Sequence, residues 1–365
     1  MQKKKYLFIA LAFMLLLPLM ACNKAVETKD EGYIEKENMN EEEVIEEEVI
    51  QEEVEVDPKA AIDLNYTPNE AGDVMILMYH NIGDKEGEWT RTPENFKKDL
   101  HTLYENNYRP ISLKDYVNNN IDVEIGKTPV VITFDDGNEN NFRVIKDENN
   151  NDIIDPDCAV GIMESFREEY PHFNLTASFF IFGTNPFRQP EYVEYKLNYL
   201  IENGYDIGNH TVDHRSMKKA DSKEYIEEGL GKQVGWINKI LPNYKVETYA
   251  LAYGERPKAE ELAKYLEKGS YNNTAYENIA ILNVGWNPAP SPVSAKFNPL
   301  SLPRIRASEM KVDNVGLYNW MEHFKNNPDK KFISDGNKDI ITIPGKVQDV
   351  IDKERLKDKE LYIYN

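Results

Sequence analysis

The chain has 365 residues, with 64 Asp and Glu against 43 Lys and Arg, and a formal net charge of −21. An excess of acid this large excludes a nucleic-acid partner, which needs a basic surface to meet its phosphates. With two cysteines, Cys22 and Cys158, there is no disulfide framework, so a chain of this length must be held by an apolar core.

Lys3, Lys4 and Lys5 precede an apolar run that ends at Leu19-Met20-Ala21-Cys22. The run is about 15 residues, short of the roughly 20 that span a bilayer. A basic start, a short apolar core and a small residue before the cut define a secretory signal peptide over residues 1–22. Cys22 straight after Leu-Met-Ala resembles a bacterial lipobox. That resemblance implies lipidation of Cys22 and anchoring at the extracellular face of a bacterial membrane. Cys158 is then the one remaining thiol, and its apolar surroundings predict a buried structural role. Residues 23–58 hold 15 acidic and 3 basic residues. Such like charge predicts a solvated, disordered acidic linker, carried here to residue 70.

From residue 71 to about 308, short apolar runs alternate with amphipathic segments. Strands are predicted at 74–79, 129–134, 177–182, 205–208, 248–253 and 279–284. One helix starts at Thr92-Pro93 and carries Phe96, Leu100 and Leu103 on a stripe. A second carries Val193, Leu197, Leu200 and Ile201 and stops at Gly204. A third carries Ile226, Leu230, Val234 and Ile237, and a fourth, with Leu262 and Leu266, stops at Gly269. The alternation predicts a parallel α/β sheet or barrel. Residues 142–157 interrupt it as a polar-tipped hairpin. Its Asp147, Asn149, Asn151 and Asp155 follow the spacing of a calcium loop, but Asp152 stands where glycine belongs. Residues 309–365 form a C-terminal extension with a closing helix and a small strand, expected to pack on the barrel.

Reactive groups of parallel α/β folds gather at the carboxyl ends of strands. Here those ends carry His80, then Asp135 and Asp136, then His210 and His214, then Tyr253, then Trp286. The spacing of His210 and His214 suits two metal ligands on one side of a helical turn. A carboxylate from another strand end would complete a three-ligand site with open positions, suited to Zn²⁺ or another divalent first-row metal. Of the paired acids, one can then coordinate while its neighbour stays free as a base.

"TFDDG" (133–137) followed by "NHTVDH" (209–214) closely resembles two motifs of the NodB-homology polysaccharide deacetylases, carbohydrate esterase family 4. "LMYHNIG" (77–83) and the stretch 95–116 resemble the extracellular poly-N-acetylglucosamine deacetylase branch. The resemblance covers roughly residues 72–305. It implies a distorted (β/α) barrel of about seven parallel strands, and hydrolysis of N-acetyl groups on an N-acetylglucosamine-containing polysaccharide. It also implies Asp135 as base, with Asp136, His210 and His214 holding the metal; for that metal the ligand pattern points to zinc, with cobalt, nickel, iron and manganese as the alternatives. From Met78-Tyr79-His80 it implies His80 as the acid that protonates the leaving amine.

Two departures stand out. The family's third motif, Arg-x-Pro-Tyr-Gly, reads Ala250-Leu251-Ala252-Tyr253-Gly254, without arginine or proline. The later leucine-x-histidine motif is missing, since the last histidine, His323, falls in a polar C-terminal helix. Arg304 in "LPRIRA" is the candidate to replace the lost arginine. The Tyr253 backbone N–H is the candidate oxyanion donor, and Trp286 a candidate pocket wall. The departures leave two alternatives: a catalytically weak carbohydrate-binding lipoprotein that keeps the metal, or an O-acetyl (xylan) esterase.

Overall fold

The computed structural model describes residues 57–365. Cys22, the signal segment and most of the acidic linker lie outside the described residues. The expected strands form, and all are parallel. In chain order they are β1 (Met75–Tyr79), β2 (Tyr108–Pro110), β3 (Thr128–Phe134), β4 (Ser178–Ile181), β5 (Asp206–Asn209), β6 (Thr248–Ala250), β7 (Ala280–Leu282) and β8 (Ile305–Arg306).

The sheet runs β7-β6-β5-β4-β3-β1-β8, a path of seven strands, with β2 beside the first half of β3. Its two ends meet at a parallel bridge between Leu282 and Leu302. There Leu302 N–H donates to Ile281 O and Asn283 N–H to Leu302 O. Joined ends and parallel strands make this the expected distorted (β/α) barrel.

Burial explains why these runs are strands. All seven residues of β3 are buried, as suits a parallel strand covered on both faces. Alternation sorts them. Met75, Leu77, Val130, Ile132, Phe134 and Phe179 pack with the helices. Ile76, Val131, Phe180, Ala250 and Leu282 form a second cluster on the opposite face.

The helices follow their end signals. Helix α1 (Pro93–Glu105) is capped by Thr92 Oγ1, which accepts from Asn95 N–H, and it buries Phe96, Leu100 and Leu103. Helix α2 (Ala159–Glu169) was not foreseen; buried Cys158 is its N-cap, accepting from Gly161 N–H through sulfur. Helices α3 (Val193–Glu202) and α4 (Lys223–Ile240) lie where expected, with Gly204 taking a positive φ of 78° just past α3. The fourth expected helix is not continuous. Its residues make one 3-10 turn and one helical turn, and Gly269 lies in a hairpin strand (268–271) instead of ending a helix.

The 142–157 hairpin forms between Val144–Lys146 and Asp152–Ile154. Its acids are used locally: Asp147 accepts from Asn149 and Asn151 N–H, and Asp155 pairs with Arg143. Helix α5 (Leu317–Asn326) and a parallel strand pair (Ile340–Pro344 with Glu360–Tyr364) make up the C-terminal part. Residues 58–70, assigned above to the linker, are folded. They form two 3-10 turns, and buried Asn69 and Glu70 bond to Ile333 and Thr342. Polar pairing with the C-terminal strand, invisible in an acidic composition, holds them. Among the described residues no helix is long and apolar enough to cross a membrane.

Candidate active site

Strand register brings the site together. Phe134 lies opposite Tyr79, so Asp135 N–H donates to Tyr79 O at 3.0 Å and sets Asp135 beside His80. One step on, His210 N–H donates to Ile181 O at 3.0 Å. Asp136 then takes a positive φ of 73°, and Gly137 follows at 53°. A Cβ at Gly137 would stand 3.0 Å from the Ile181 side chain, so this turn needs glycine. Asp136 holds a backbone conformation uncommon outside glycine, the kind of strain that accompanies functional sites.

Asp136 Oδ1 lies 3.4 Å from His210 Nε2 and 3.3 Å from His214 Nε2. All three potential ligand atoms fall within 4.8 Å of one another. The two histidines do not share a helical turn, as their spacing suggested. Thr211 and His214 both have positive φ, and the segment is a loop. Local side-chain bonds hold it: Asn209 Oδ1 accepts from Thr211 N–H, and Thr211 Oγ1 from Arg215 N–H.

The residues fit a divalent cation. Asp136 Oδ1 is a buried acceptor with no hydrogen-bond partner. Nδ1 of buried His210 donates to Ala250 O at 2.7 Å, which leaves Nε2 as a lone-pair donor facing Asp136. Tetrahedral zinc with bonds of about 2.0–2.1 Å separates its ligand atoms by roughly 3.4 Å, close to the spacing here.

Asp135 is different. Both of its oxygens accept from Arg304, at 2.7 Å each, and both side chains are buried. Burial pushes the Asp135 carboxyl up, but the Arg304 charge and hydrogen bonds outweigh it and hold the pKa well below the usual carboxylate range. Arg304 is itself fixed by Asn283 O at 2.9 Å and Thr133 Oγ1 at 3.2 Å. The arginine that contacts Asp135 thus comes from the segment leading into β8.

His80 Nε2 stands 4.0 Å from Asp135 Oδ2. Its backbone is held by Asn141 Nδ2, and its ring lies 4.7 Å from the indole of Trp89. Burial pushes the His80 pKa down, against the pull of Asp135 and Asp136. Its Nδ1 is buried without a partner. Tyr253, at φ 60°, closes another side, 64% exposed, with its ring 4.6 Å from that of His214.

These groups line a cavity of about 490 Å³ together with Asn81, Trp89, Leu251 and Val284. Trp89 was missed because it sits in a loop with no periodicity to mark it. Arg304 works from behind the cavity rather than in its lining. Trp286 was expected to wall this pocket but does not; it is 62% exposed and lines a neighbouring cleft. The physical reason is that Gly285 follows Val284 out of the cavity and packs against the Arg304 backbone, turning the chain toward the second cleft.

A barrel of parallel strands thus gathers at its carboxyl ends an Asp-His-His set able to hold a cation, an arginine-held carboxylate and a histidine. Residues 161–271 match the family model described as polysaccharide deacetylase. The matched span contains His210 and His214 and leaves His80, Asp135 and Asp136 upstream.

No curated protein matches the chain. Among solved structures, it is similar to the Bacillus anthracis protein BA0330 at 19% identity and TM-score 0.48, covering 66% of each chain. It is similar to deacetylase PplD of Streptococcus pyogenes at 17% identity and TM-score 0.47, covering 68% of this chain and 97% of that one. IcaB from Ammonifex degensii follows at 14% identity and TM-score 0.46, covering 65% of this chain and 93% of that one.

Proposed function

We propose that this protein is an exported, metal-dependent deacetylase of an N-acetylglucosamine-containing polysaccharide, lipid-anchored through Cys22 at the outer face of a bacterial membrane. The observation that carries the catalytic part is the pairing of two environments on adjacent residues. Asp136 faces His210 and His214, while Asp135 faces Arg304 and His80. The anchoring part rests on the basic start, apolar run and lipobox-like Cys22.

Asp136, His210 and His214 would hold the cation, zinc first among divalent metals. Once bound, it would acidify water and polarise the acetyl carbonyl. Asp135, kept ionised by Arg304, takes the proton of the attacking water. Arg304 keeps that carboxylate aimed and prevents it from turning toward the cation site. His80, in a pocket sheltered by Trp89, gives a proton to the departing nitrogen. The C–N bond breaks, acetate leaves, and a free amine remains on the sugar. The Tyr253 backbone N–H serves as a donor to the developing oxyanion.

The alternative of a catalytically weak sugar-binding lipoprotein drew on the lost third-motif arginine. Arg304 weighs against it, because the base has an arginine partner after all. The test is acetate release from oligomers of N-acetylglucosamine by metal-reconstituted protein, with acetylated xylan as a second substrate. Release from the amide substrate supports the proposal, release from xylan alone makes the protein an O-acetyl esterase, and silence on both overturns it.

A further inference from the structure

On the deacetylase reading just given, we propose that the cleft carrying Trp286 is a second sugar subsite. It would hold residues of the same glycan chain next to the sugar being deacetylated. The cleft measures about 670 Å³ and is lined by Glu88, Gly285, Trp286, Arg306, Lys311 and Asp313, among others. That size is within the range of small-ligand sites.

The cleft adjoins the catalytic cavity, with residues neighbouring in sequence on the two sets of walls. Glu88 lines the cleft and the next residue, Trp89, lines the cavity; Val284 lines the cavity and the next residue, Gly285, lines the cleft. A small void shares Glu88 and Arg306 with the cleft and His80, Asn81 and Trp89 with the cavity. The partition is braced. Arg306 donates to Glu88 at 2.7 Å, and its guanidinium lies 4.9 Å from the centre of the Trp89 ring. A polymer with one residue in the cavity must continue past its edge, and this cleft is on the other side of that edge.

The lining has the chemistry a sugar needs. A pyranose offers an apolar C–H face to an indole and hydroxyls or amide groups along its rim. Trp286 presents the indole, 62% exposed. Glu88 and Asp313 can accept from that rim, and Arg306 and Lys311 can donate to it.

Trp286 is also held in place. Its carbonyl accepts from Trp320 Nε1 at 2.7 Å. Trp320 belongs to α5, which is anchored by buried Leu317 and Phe324 and by Tyr318 Oη donating to Asp99 at 2.7 Å. The C-terminal helix, which the catalytic motifs leave without a role, therefore backs the proposed stacking platform.

The experiment compares β-1,6-linked N-acetylglucosamine oligomers of two to five sugars in wild type and Trp286→Ala. Acetate release gives KM and kcat, and fluorescence titration gives binding of the pentamer without turnover. Wild type should show a KM that falls about tenfold from dimer to pentamer, and Trp286→Ala should close that gap. Trp286 is largely exposed, so the variant should fold, which circular dichroism checks. A Trp320→Phe variant, lacking the N–H that holds Trp286, should narrow the gap in the same direction. Acetate release whose length dependence survives Trp286→Ala overturns the subsite and leaves the deacetylase reading standing. Pentamer binding that Trp286→Ala weakens, with no acetate released by wild type, supports the subsite and overturns the deacetylase reading. Neither binding nor release overturns both.

Discussion

Asp135 and Asp136 are neighbours in sequence and face different partners in space. Asp135 meets a buried arginine, and Asp136 an unpaired space between two imidazoles. Asp135→Asn should therefore lower kcat about 10²–10⁴-fold, the usual weight of general catalysis, and retain bound metal. Asp136→Asn should lose both, which metal analysis of the purified variants would separate. His80→Ala should lower kcat over the same range while keeping metal. Arg304→Met would leave the buried Asp135 carboxylate without its partner. The sign follows from burial: with Arg304 gone, only the weaker pull of His210 and His80 offsets the upward push, so the Asp135 pKa rises. In wild type the depressed pKa keeps the base ionised down to strongly acidic pH, so no acid limb from Asp135 is expected between pH 5 and 7. Arg304→Met should bring such a limb into the kcat/KM profile, and an unchanged profile would show that Arg304 does not tune the base. The same pairing adds stability that is present above the unfolded pKa of about 3.9 and fades as pH falls below it.

At the scale of elements, what could be read depended on run length. Six strands showed as apolar runs, because buried parallel strands need no alternation. The two that did not show, Tyr108–Pro110 and Ile305–Arg306, are three and two residues long, and their register with β3 and β1 makes them strands rather than their own pattern. Helix α2 begins at a cysteine cap, a weaker signal than the Thr-Pro of α1. The metal-ligand candidates were legible because strand ends collect them, and His80 because it follows the first strand. Trp89 was not, since its place depends on a buried network that joins Arg91, just after it, to α1, β1 and α5. Arg91 there pairs with Asp99 through two bonds, at 2.6 and 2.9 Å, while Tyr79 and Tyr318 donate to the same carboxylate. Asp99→Ala should cost about 3 kcal/mol in denaturant unfolding, the low end for breaking a buried pair, because Glu86 and Glu309 still face Arg91. The same variant should loosen Trp89 and raise KM.

Across the whole molecule, one closed ring of strands sets the distances on which the chemistry depends. Leu302 joins the ring's ends, and two residues later Arg304 reaches Asp135. The early and late parts of the described chain also meet, since Glu70 accepts from Thr342 N–H and Asn69 bonds to Ile333. Cys22→Ser should release the protein from the membrane fraction of the cells that make it, and persistence there would argue against a lipid anchor. The central claim is that Asp135 acts as a base beside a metal held by its neighbour. Its most direct test is acetate release by zinc-reconstituted wild type and Asp135→Asn, with the zinc content of each measured. The account expects zinc in both and turnover in wild type, reduced at least about 10²-fold in the variant. Equal turnover in the two proteins with equal zinc would contradict it.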